Sequence, residues 1–179
     1  MMYVTVQFNG LKQFQRALAS KGKQVEIAAQ QAINRTLTRS RTQMTNAVGE
    51  KLNLRKKTIR DLVAIRKVGK VTGAVGKLMV KHKPTPLIAF NAKQNQKGVS
   101  FKLYQQGPRK LLKHAFTMKD RQGRETVFLR EHEKVALKIK PRYGSSVANV
   151  SQDKLKKVYQ FARAFLESEY RRLIKLKKK

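Results

Sequence analysis

The chain has no cysteine, and only ten of its 179 residues are acidic. Without thiols there can be no disulfide, no thiolate zinc site and no cysteine nucleophile, a pattern that fits a reducing compartment. No window approaches eighteen uninterrupted apolar residues, and the opening run Met2 to Phe8 is too short and too strand-like for a secretory leader. The expectation is a protein made and used in cytoplasm. The three histidines, His82, His114 and His132, stand far apart, and none has a second histidine or a carboxylate at a helical metal-ligand spacing. Acid–base chemistry is as poorly provided for, since Glu167 and Glu169 lie about 200° apart on a helix. Glu131 and Glu133 around His132 offer the only catalytic-looking trio, and polar hairpin ends have the same composition. The glycines of GKVTGAVG, Gly69 to Gly76, are followed by no Lys-Ser/Thr and have no nearby acid to hold a metal, so the segment reads as a glycine-softened turn or the start of a strand. No enzymatic activity, cofactor or metal is expected.

What the chain does have is positive charge. Forty-two lysines and arginines give a formal net charge of +32. From Leu62 to Lys119 there are thirteen basic residues and no acid. A single charge run is ordinarily a solvated face, but an ordinary surface mixes signs along its whole length. Self-repulsion on this scale points to a partner of dense negative charge, either nucleic acid or acidic neighbours in an assembly. Five tyrosines could add stacking. Zinc-finger spacing, an RNP-type aromatic pattern and a helix-turn-helix are all missing, so contact would be with backbone phosphates rather than base edges.

The apolar pattern changes period along the chain. Val4, Val6 and Phe8 alternate with Tyr3, Thr5 and Gln7 as in a half-buried strand, broken at Asn9-Gly10. Leu11, Phe14 and Leu18 predict a short amphipathic helix ending near Lys21-Gly22. Val25, Ala29, Ala32, Ile33, Leu37, Met44, Val48 and Leu52 then recur at three- and four-residue intervals, predicting a long helix whose stripe weakens to Thr, Ser and Met between Thr36 and Thr45. Such a helix must lean on neighbours or on another subunit. Thr58 to Ile65 reads as a helix or a strand. Val99, Phe101 and Leu103, and later Val135, Leu137 and Ile139, alternate with polar residues as strands, and Asp120 to Gly123 turns a hairpin between Ala115 to Met118 and Thr126 to Arg130. Residues 93–98 (KQNQKG) and 105–110 (QQGPRK) read as basic loops. Ser151 and Asp153 suggest the start of a last helix, with Leu155, Val158, Tyr159, Ala162, Phe165, Leu166, Tyr170, Leu173 and Ile174 on one face and Glu167 within reach of Arg163 and Arg171. The expected fold is α+β, with a long N-terminal helix and a C-terminal helix packed on a twisted antiparallel sheet with hairpins. Residues 1–176 are expected to form one domain and 177–179 a disordered basic tail.

Five strings in order carry a family resemblance. GLKQFQRAL with AAQQAINRTLTRSRTQM opens the chain, LNLRKKTIR follows, then HAFTM, GRETVFLRE and ALKIKPRYGSSVANV. In these the chain resembles the minor tail protein Z family of tailed bacteriophages, the prophage tail-completion proteins, over most of its length. It departs from the family pattern where Lys138 and Ser145 replace prolines around the Tyr-Gly turn. The resemblance implies a structural virion protein at the head-proximal end of the tail, assembled in the host cytoplasm. Its implied partners are the tail terminator, tail tube and head-connector proteins and the end of the packaged DNA, and its implied form is a hexameric ring around the DNA path. A non-sequence-specific nucleic-acid-binding protein is the alternative. Arg35, Arg39, Arg41, Arg55, Lys56 and Lys57 are the candidate contacts to DNA or to an acidic partner. Ala115, Phe116, Val127, Phe128, Tyr143, Gly144, Ser146 and Val147 are the candidate fold and interface positions, with Tyr143-Gly144 expected to make a tight turn at a positive φ.

Overall fold

Alternation in the opening segment produces strand β1 (Tyr3–Gln7), which pairs antiparallel with β3 (Lys77–Lys81), and β3 pairs on its other edge with β2 (Val63–Arg66). The computed structural model describes residues 3–7, 23–69, 76–130 and 139–177. The expected helix over 11–19, the Glu131-His132-Glu133 trio, Val135, Leu137, Lys138 and residues 178–179 lie outside them.

Helix α1 (Lys23–Gly49) follows the long apolar stripe. Ile33, Leu37, Met44 and Val48 are buried in one core with Val63, Leu78 and Val80 of the sheet. A second row, Ala28, Ala32, Thr36 and Ser40, is buried as well, so the helix covers more of its girth than its apolar residues alone predict. These are small side chains at i, i+4 spacing, which form a low ridge against which another helix can pack closely. Thr36 and Thr45 satisfy their hydroxyls by donating to the carbonyls four residues back, Ala32 and Arg41, each at 2.8 Å. Leu52 lies beyond the helix, buried, in a β-bridge with Tyr104.

The segment read as helix or strand is both. Helix α2 (Lys56–Leu62) runs straight into β2, the change made at Val63, whose φ of −100° and ψ of 97° are extended. Beyond β3, β4 (Thr85–Pro86) leads into a 3-10 helix (Leu87–Phe90) that buries Leu87 and Phe90. A second sheet has the order β5 (Lys93–Asn95), β6 (Gly98–Phe101), β7 (Lys110–Lys113). The expected loop at 93–98 is therefore a hairpin, with only Gln96 and Lys97 in its turn. Backbone pairing with Ser100, Val99 and Gly98 outweighs the polar composition there. The segment 105–110 is a loop up to Lys110, which opens β7; the strand containing Val99 ends at Phe101, short of Leu103. A third sheet holds the expected hairpin, β8 (Ala115–Lys119) and β9 (Glu125–Arg130), with β10 (Ile139–Pro141) on the far edge of β9. Its turn is set by Asp120, whose carboxylate accepts from the backbone N–H groups of Gln122 and Arg124, and by Gly123 at φ 73°.

Three local expectations are corrected. Tyr143 and Gly144 form a short strand, β11 (Tyr143–Gly144), paired with β4, and Gly144 is not at positive φ. Glycine is needed there because a Cβ would overlap the Phe90 ring and crowd Leu103. Helix α3 (Val147–Lys177) starts four residues before Ser151. Its cap is Ser146, whose Oγ accepts from the Ala148 N–H at 3.2 Å, whereas Ser151 is fully buried and donates to the Val147 carbonyl. Lys177, expected in the tail, is the last helical residue.

The architecture is α+β, with several small antiparallel sheets in place of one. Helices α1 and α3 run antiparallel, as contacts at opposite ends establish: Ala28 and Ala32 cluster with Leu173, and Lys51 Nζ reaches Asp153 at 2.9 Å. Among the described residues no helix is long and apolar enough to cross a membrane.

Candidate nucleic-acid interface

Where α1 crosses the C-terminal half of α3, a groove of about 600 Å³ opens between them. It is lined by Asn34, Arg35, Thr38 and Arg39 of α1, by Lys67, and by Phe165, Glu169 and Arg172 of α3. Arg35 and Arg39 share a face because they are one helical turn apart. Lys67, distant in sequence, is held by a backbone clamp. The Asn34 amide donates to the Val68 carbonyl at 3.0 Å and accepts from the Val68 N–H at 2.8 Å, while Gln30 donates to the same carbonyl at 3.1 Å.

Glu169 is the electrostatic centre of the groove. It occupies a position on the apolar stripe of α3, four residues from both Phe165 and Leu173, and its side chain is only 10% exposed. Arg172 donates to it through Nε at 2.9 Å and Nη2 at 2.8 Å, and Arg35 Nη1 meets Oε1 at 2.5 Å. The Arg172 hydrogen bonds hold its carboxyl down at about 2, with Arg35 adding to the effect against the opposing cost of burial. The carboxylate is therefore ionised at neutral pH, and it fixes two guanidiniums at the groove while leaving most of their N–H donors uncommitted. Arg39 and Lys67 make no ion pair among the described residues, so the four cations outnumber the one carboxylate.

The six candidate contacts do not converge. Arg35 and Arg39 line this groove. Arg41 points elsewhere, its Nη2 donating to the Arg60 carbonyl at 2.7 Å, so it ties α1 to α2. Arg55 precedes α2 and Lys56 and Lys57 begin it, all three exposed. The partners of Arg35 and Arg39 went unrecognised in the sequence, although one signal was there: Glu169 interrupts the apolar face of α3. Nothing local marks Lys67 or Asn34, because their placement depends on the packing of distant segments. Glu167 does meet Arg163, at 3.7 Å with both side chains mostly exposed, a pair of little energetic weight.

The fold and interface positions divide differently. Ala115, Val127 and Val147 are buried core. Phe116 and Phe128 stand opposite each other across β8 and β9, their rings stacked 6.2 Å apart, and the Arg130 guanidinium lies 5.4 Å from the Phe116 centroid. Gly144 is a close-packing point, Ser146 a helix cap, and Tyr143 is 52% exposed.

Comparisons with known protein families, with curated proteins and with solved structures each find no match to the chain. The functional reading therefore rests on its own residues, their geometry and the motifs quoted above.

Proposed function

We propose that the protein is a non-catalytic structural component of a tailed-phage virion, acting at the head-proximal end of the tail in tail completion and head-tail joining, with its cationic surface matched to a polyanion. The observation that carries this reading is a formal charge of +32, the surplus of 42 lysines and arginines over ten acids. In an isolated chain such a surplus only raises self-repulsion; against DNA phosphates or acidic subunits it becomes binding energy through counterion release. The α1–α3 groove supports a polyanion in particular, because Glu169 orients two arginines there instead of cancelling the site's charge. The five ordered motifs support the phage placement, with terminator, tube and connector proteins and the packaged DNA end as partners and a ring as the assembled form. The cations and the Phe165 ring in one groove also favour direct nucleic-acid contact, the reading of a general nucleic-acid-binding protein.

Deleting the gene from a phage that carries it tests the proposal. The expected result is unjoined heads and tails by electron microscopy, restored by a plasmid copy. Normal virions from the deletion would contradict the structural role.

A further inference from the structure

We infer that the α1–α3 groove is a binding site for single-stranded nucleic acid, with Arg39 and Lys67 contacting successive phosphates and the Phe165 ring packing beneath an unpaired base. The inference rests on the polyanion part of the proposed function and adds a place and a substrate class to it. Three observations carry it. The groove, about 600 Å³, is large enough to seat a base with its flanking phosphates. Its charge is arranged in two tiers: Arg35 and Arg172 are anchored on Glu169, whereas Arg39 and Lys67 have no acid among the described residues and are free to meet phosphate. An aromatic ring lies among these cations. Phe165 is half-buried and stacks on Phe161, the centroids 5.8 Å apart and the planes at 21°, so it is held in a fixed orientation. Cations that track a backbone, interleaved with a rigid aromatic face, are the combination that binds unpaired bases without reading their sequence.

The test is fluorescence anisotropy with a labelled oligothymidylate and with a labelled duplex of mixed sequence, each titrated with the full chain over a range of salt. The variants are R39E/K67E in the groove, the conservative F165L, and K156E/K157E on the exposed side of α3 as a charge-matched control. R39E/K67E is expected to weaken oligothymidylate binding at least tenfold more than K156E/K157E does, and to reduce the slope of log affinity against log salt by about 1.4, the value for two single-strand phosphates. F165L is expected to weaken the single strand roughly fivefold while leaving duplex binding unchanged. Melting curves matching wild type confirm that each variant is folded. If wild type binds both probes in a salt-dependent way and the groove and control variants weaken them equally, the groove assignment is overturned while the polyanion reading survives. If the groove variant alone is impaired but F165L is silent, the single-strand assignment is overturned in favour of plain phosphate contact. If wild type binds neither probe even at low salt, nucleic acid is the wrong class and the inference is overturned; binding of labelled poly-glutamate would then leave the polyanion reading standing.

Discussion

Glu169 sits where the apolar stripe of α3 would place a hydrophobe, and the two arginines that meet it make the substitution tolerable. Because the folded carboxyl titrates near 2, below its ordinary value of 4.5, its stabilisation is fully present above about pH 4.5 and is lost as pH falls through 2. Screening of the half-exposed arginines reduces its worth to about 2 kcal/mol. E169Q should therefore be less stable than wild type by about that amount at pH 7, and urea melts should show the gap closing between pH 4.5 and pH 2. A gap that stays constant across that window would mean that the carboxylate charge is not what holds Arg35 and Arg172. Two glycines separate steric from conformational demands. G144A should cost about 1–3 kcal/mol, since the added methyl meets the Phe90 ring in a packed core. G123A faces open space and should cost about 1 kcal/mol, through its φ of 73° alone. Thermal melts that rank the two in the opposite order would contradict the packing described around Phe90.

At the scale of elements, the beginning of α3 is the sharpest case. Ser146 caps it, so S146A should destabilise by about 1 kcal/mol, whereas S151A, inside the helix, should cost only a few tenths. Denaturant melts giving the reverse order would restore the later start that the sequence suggested. The two long helices, the hairpin at Asp120 to Gly123 and the strand β1 were all legible, because each is written in local periodicity or turn chemistry. The hairpin over β5 and β6 was not, since polar strand residues look like loop until a partner strand is known. Gly144 was misread for a similar reason: a residue's intolerance of a side chain comes from Phe90, more than fifty positions away. The candidate site was half legible. Arg35 and Arg39 follow from helical spacing, whereas Lys67, Asn34 and Arg172 join them only through tertiary packing, and Arg41, two residues past Arg39, turns to a structural bond with α2.

For the whole molecule, charge is the dominant fact. Six copies in a closed ring would bring surfaces of +32 together, and at physiological salt, where charges are screened over about 8 Å, abutting faces still repel. Isolated protein should therefore be mainly monomeric by analytical ultracentrifugation and assemble on its partners; a stable hexamer without any partner would contradict this. On the proposed function the surplus charge is matched by an external polyanion. That match is tested most directly by measuring wild-type affinity for labelled duplexes of unrelated sequence, and for isolated tail tubes, at several salt concentrations. At least one of these polyanions should bind with an affinity falling linearly on a log–log plot against salt, with a slope worth several neutralised charges per chain, and the duplexes should behave alike whatever their sequence. Affinity for neither at low salt, or binding indifferent to salt, would contradict it.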